Sequence, residues 1–111
     1  LKAVRLLLDE CVPKGFGALL APLACDHLTA IGWSGVKNGE LLRRIERSGH
    51  QALVTTDRNL SFQQSIASTS VFVVVLVART NRLVDLHPLV EPLKRALPMG
   101  RPGQVVVVRS E

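Results

Sequence analysis

Apolar positions along this chain come in two rhythms: short unbroken runs, and longer stretches in which they recur every three or four residues. The runs predict strands buried on both faces, and the wider spacing predicts helices with one buried side. Val4–Leu8 predicts the first strand. Pro13 suits the first turn of the following helix, where its missing N–H leaves no bond unmade. Phe16, Leu19, Leu20 and Leu23 mark the inner side of that helix and Pro22 its end. Gly15 and Gly17 weaken it, so packing has to hold it in place.

A weak strand is expected over Cys25–Thr29, then the loop "AIGWSGVK". Asn38 is placed to cap a helix over Glu40–Arg47, with Leu41, Leu42 and Ile45 turned inward, and Ser48-Gly49 closes it. Gln51–Thr55 predicts the third strand, "TDRN" breaks it, and Ser61–Ala67 predicts a short helix. "VFVVVLVA", 71–78, is the strongest strand signal, β-branched and apolar throughout. Leu83, Leu86, Val90, Leu93 and Leu97 mark a last helix, which Pro88 and Pro92 must kink or delay. "GRPG" is a turn, and "VVVV", 105–108, ends the sheet. Strands alternating with helix-length segments imply an α/β fold with right-handed crossovers and a mostly parallel five-stranded sheet between helix layers. At 111 residues the chain predicts a single domain, 1–111.

Composition narrows the picture. With 47% hydrophobic and 21% charged residues the chain reads as globular and not disordered. Its longest apolar run, Val71–Ala78, is far short of the ~18–20 residues that span a bilayer, and the first residues lack a signal-peptide pattern. The expectation is a soluble cytoplasmic protein with no membrane partner. Cys11 and Cys25 form no CxxC pair, so both are expected reduced. Cys11, beside the acids, invites a reading as nucleophile or thiolate ligand, but plain filler is the simpler one. Ten of the 14 cations are Arg and the net charge is +5, with a pI near 10.0. Arg offers a planar fork suited to phosphate, which favours a polyanionic partner over a merely basic surface.

The first strand stops on Asp9 and Glu10, costly neighbours for an apolar interior. In open parallel sheets ligands bind beyond the carboxyl ends of the strands, where the strand order reverses. Asp9 ends the first strand, Asp57 follows the third, and Glu40 opens a helix that starts at the same edge. Carboxylates gathered there repel one another unless a cation joins them. Mg²⁺ or Mn²⁺ fits, since magnesium takes one or two carboxylates, waters and substrate phosphate oxygens. Each acid also has a plainer explanation, as turn former or as a favourable charge at a helix start. Glu10, pointing elsewhere than Asp9, suits a backbone N–H or an Arg.

"LLLDECVP", "SGVKNGELL" and "ALVTTDRNLSF" together resemble the short stand-alone PIN-like nucleases. The resemblance implies a three-layer α/β/α sandwich with an acidic pocket for Mg²⁺ or Mn²⁺. It also implies endoribonuclease activity on single-stranded RNA and, as in many bacterial members, a toxin neutralised by a small antitoxin protein. Asp9 matches the first metal-binding acid and Asp57 the late one. Asn38 and Asn59 stand where relatives carry Asp, leaving Glu40 as the acid of that helix turn. Two lost charges weaken metal affinity, which keeps open a slow nuclease or an inactive RNA- or protein-binding module.

Arg58, Arg79 and Arg82 follow strand ends on the expected active edge and could grip a nucleic-acid backbone. Arg43, Arg44 and Arg47 share a helix; a solvated outer face is the simpler account of them, RNA contact the other. Thr55 and Thr56 could each place a water or support the acids, an ordinary strand residue being the simpler account of Thr55. Trp33 stacks on a base, anchors its loop on the core or meets a protein partner. His27, His50 and His87 show no ligand spacing. The apolar final strand is compatible with a homodimer. A receiver-like phosphoacceptor also pairs acids after the first strand with an Asp after the third, and here Thr80 and Arg109 follow the later strands. It lacks the Lys such a domain needs.

Overall fold

Leu6, Leu7 and Leu8 are almost wholly hidden from solvent, because their strand is flanked by strands on both sides and helices on both faces. The computed structural model describes residues 5–36, 38–58 and 66–109, Asn38 through its backbone alone. Five strands, β1 (Arg5–Leu8), β2 (Ala24–His27), β3 (Ala52–Thr55), β4 (Phe72–Val77) and β5 (Val105–Arg109), form one sheet in the order β2-β1-β3-β4-β5. All four pairings are parallel. Between them lie α1 (Phe16–Leu19), α2 (Asn38–Ser48), α3 (Leu83–Leu86) and α4 (Val90–Ala96).

Alternation along the strands divides the core in two. Leu6, Leu8, Val54 and Val74 face α1, α3 and α4 through Phe16, Leu20, Leu86 and Leu93. Leu7, Leu53, Val73 and Val75 face α2 through Leu41, Leu42 and Ile45, with Ile66 beside them. This is a three-layer α/β/α sandwich. Because β1 runs out to β2 through α1 on one face and β2 returns to β3 through α2 on the other, the connections diverge between β1 and β3. That divergence opens a crevice at the carboxyl ends of these two strands.

The helices depart from expectation where glycine and proline intervene. α1 is a single turn, since Gly15 and Gly17 lower its intrinsic stability. The long helix expected from Leu83 to Leu97 is broken into α3, a 3₁₀ turn at His87–Leu89, α4 and a second 3₁₀ turn at Leu97–Met99. Pro88 and Pro98 sit at the starts of the 3₁₀ turns, and Pro92 falls in the first turn of α4, where its missing N–H costs little. Helix α2 begins at Asn38 itself. Most of the expected helix at 61–67 lies outside the described residues, though 66 and 67 are helical. No helix among the described residues is long and apolar enough to cross a membrane.

At Gly100 an added Cβ would lie 2.2 Å from the Phe72 ring, so only glycine lets the chain pass before β5. On the edge strand β2, Asp26 accepts hydrogen bonds from Arg5 Nε and His50 Nε2, both at 2.8 Å. Partial burial works against an ionised Asp26, but the hydrogen bonds from His50 and Arg5 outweigh it and hold the carboxyl below its ordinary value. A depressed folded-state pKa adds stability that is complete above the unfolded value, about 3.9, and is lost as pH falls through the lower folded value. The urea midpoint of the wild-type chain should therefore exceed that of Asp26→Asn at pH 5, with the lead shrinking below about pH 4. A lead unchanged down to pH 2 would remove the ion pair from the account of stability.

Candidate active site

Parallel register places the first candidate acid. Leu8 pairs with Val54, and the Asp9 amide continues the ladder by donating to the Val54 carbonyl at 2.9 Å. Asp9 and Thr55 are thus next-door neighbours at the mouth of the crevice, on the side of the sheet covered by α2.

Thr55 is the one buried polar residue among the described residues, at 0% exposure. Its hydroxyl donates to Asp9 Oδ2 at 2.8 Å and accepts from the Asp57 amide at 3.1 Å. Cys11 Sγ approaches the same hydroxyl at 3.4 Å and accepts from the Thr56 amide at 3.4 Å. One oxygen therefore ties the end of β1 to the chain leaving β3. Asp9 Oδ1 takes the Glu10 amide at 2.8 Å, so each carboxylate oxygen has one donor and keeps lone pairs for a further partner. Asp57 lies exposed at the rim.

Glu10 turns away from this centre. Its Oε1 accepts the Gly35 amide, which fastens the Trp33 loop beside β1. Trp33 packs against the α2-side core, its ring 5.7 Å from the Arg44 guanidinium and edge-on to His50 at 6.4 Å. Of the three roles considered for Trp33, these contacts are those of a loop anchor.

Glu40 sits in the first turn of α2, at the sheet edge where the strands end. Its carboxylate is taken by Arg43 at 3.0 Å and Arg44 at 2.9 Å, with Arg47 at 3.9 Å. Hydrogen bonds from Arg44 and then Arg43 hold it below the usual carboxylate range, which weakens it as a proton acceptor. Among the described residues no three His, Cys, Asp or Glu side chains come together as a metal cage. What is assembled is Asp9, Thr55, Cys11 and the Asp57 main chain, with Glu40 engaged by arginines. The side chain of Asn38, and Asn59 altogether, lie outside the described residues.

Beyond Asp57 a polar cleft of about 230 Å³ opens between the ends of β3 and β4, lined by Thr56, Arg58, Leu76, Ala78, Thr80 and Asn81. Arg58 Nη2 donates across it to the Ala78 carbonyl at 3.3 Å, and Asn81 Nδ2 donates to the Cys11 carbonyl at 3.0 Å. Arg79 and Arg82 are exposed on the loop that follows β4.

The residue that sequence reasoning passed over is Thr55. The sequence allows either threonine as a support and favours an ordinary strand role for Thr55, yet the Thr55 hydroxyl is the one that touches Asp9. The signal was positional: Thr55 shares the parity of Leu53, and in a parallel sheet that parity meets Leu7 and then Asp9.

No protein-family model, no curated protein and no solved structure matches this chain.

Proposed function

We propose that this protein is a Mg²⁺- or Mn²⁺-dependent, PIN-like endoribonuclease acting on single-stranded RNA. The observation that carries this reading is the linkage of Asp9 to the Asp57 main chain through the buried Thr55 hydroxyl, at the sheet position where α/β folds bind ligands. The donor set fits such a cation: two carboxylates and no soft cage suit an ion that keeps waters and shares substrate phosphate. Asp9 and Asp57 would hold it. When bound, such an ion polarises the phosphodiester and lowers the pKa of a coordinated water.

The chain's own residues supply placement. The Glu10 amide and the Thr55 hydroxyl orient Asp9, and Glu10 pins the loop beside it. Arg58 stands one residue past Asp57 to neutralise a phosphate. The +5 net charge draws in a polyanion along its length. A toxin role, with a small antitoxin protein covering the site, belongs to the same proposal, and so does a homodimer.

Labelled single-stranded RNA incubated with Mg²⁺ or Mn²⁺ should give internal cleavage products that EDTA abolishes. Cleavage indifferent to EDTA would overturn the metal. Salt-sensitive binding without any cleavage would make the protein an RNA-binding module instead.

A second reading is favoured by the strand order, which phosphoacceptor receiver domains share. In that reading Asp57 is phosphorylated by acetyl phosphate, a labelling experiment that decides it. Arg109 lies within β5, and the Thr80 hydroxyl is already given to Asp85, so the nuclease reading remains the better supported.

A further inference from the structure

Among the described residues the cleft between the ends of β3 and β4 is lined by one ionisable side chain, Arg58, and by no carboxylate. We infer that this cleft is an oxyanion subsite that takes a single phosphate group, the one adjoining the phosphate handled at Asp9 and Asp57. Its assignment to an RNA strand rests on the nuclease reading; its capacity to bind phosphate does not.

Three observations carry the inference. The first is size: about 230 Å³ is below the ~300–1,000 Å³ of pockets that enclose a drug-sized ligand, which suits a small anion such as one phosphate group. The second is the donor inventory. Arg58 spends one N–H on the Ala78 carbonyl, which aims the guanidinium across the cleft and leaves four of its roughly five donors. Asn81 spends one amide hydrogen on the Cys11 carbonyl and keeps the other. Among the described residues the Thr56 hydroxyl has no hydrogen-bond partner. Thr80 is excluded as a donor, because its hydroxyl gives its hydrogen to Asp85 and accepts the Arg82 amide at 3.0 Å. A guanidinium with a hydroxyl and an amide beside it is a phosphate-binding set.

The third is position. Neighbouring strands lie about 4.8 Å apart. The crevice at Asp9 lies between the ends of β1 and β3, so a cleft between β3 and β4 is offset sideways from it by about one strand. A group held there is a neighbour of the scissile phosphate and not that phosphate itself. Asn81 couples the two places, since its amide grips the main chain two residues past Asp9.

The test is a titration of the ¹⁵N-labelled full chain with inorganic phosphate in EDTA, followed by amide shifts. Saturable shifts should concentrate at Thr56, Arg58 and Asn81 and persist in Asp9→Asn. Arg58→Ala, a change at an exposed side chain, should weaken binding at least about tenfold. Thr56→Val should weaken it by a smaller factor. Shifts scattered over the basic surface, or left intact by Arg58→Ala, overturn the subsite. The nuclease reading stands or falls separately: saturable phosphate binding with no RNA cleavage keeps the subsite and removes the nuclease. Asp9-dependent cleavage with no localised phosphate shifts does the reverse.

Discussion

Asp9→Asn is expected to lower metal-dependent RNA cleavage by three or more orders of magnitude, with little change in the unfolding midpoint. The carboxylate and the amide have nearly the same shape, and the amide oxygen can still accept the Thr55 hydroxyl or the Glu10 amide. The charge is what disappears. A cation's contribution to the transition state is worth several kcal/mol, and each ~1.4 kcal/mol is a factor of ten in rate. Cleavage time courses in Mn²⁺ at saturating RNA, alongside urea melts of both chains, measure the two effects together. Near-normal cleavage by a well-folded Asp9→Asn chain would take Asp9 out of the chemistry.

Thr55→Val should damage stability and activity at once. The substitution keeps the branched shape and deletes one oxygen, which leaves Asp9 Oδ2 without a donor and the Asp57 amide without an acceptor. An unsatisfied buried polar group costs about 1–3 kcal/mol, read as a lowered urea midpoint. Loss of the group that orients a metal-binding carboxylate costs about 10–100-fold. Thr55→Ser keeps the hydroxyl and should recover most of the cleavage. The serine rescue matters, because a merely structural Thr55 would lose stability in both variants and activity in neither beyond the unfolded fraction.

How much of this was legible in the chain differs by element. The strands were plain, because β1, β3 and β4 are covered on both faces and so appear as unbroken apolar runs. The spacing at 83–97 predicts a helix that Pro88 and Pro92 kink or delay. Proline at 88, 92 and 98 cut it into short pieces that keep the same buried side, since periodicity reports the face and not hydrogen-bond continuity. Asp9 and Asp57 were legible as acids after strands. Glu40 was legible as a helix-start acid, but not its capture by Arg43 and Arg44. An i, i+3 and i, i+4 arrangement predicts that capture as readily as it permits a metal role. Thr55 was hidden for another reason. A threonine at a strand end is common, and only pairing with a distant strand reveals which group its hydroxyl meets.

The two margins of the sheet are unequal. β2 presents Asp26, tied to Arg5 and His50, and His27, whose ring is bonded to the Val12 carbonyl and Thr29, so that edge carries a fixed charge and polar side chains. β5 presents a row of valines, with Val107 49% exposed, and holds its sole charge, Arg109, at its far end. Charged, anchored edges resist templating and flat apolar ones invite it. Any self-association of this fold by strand addition therefore has a direction, starting at β5 and leaving the crevice between β1 and β3 uncovered.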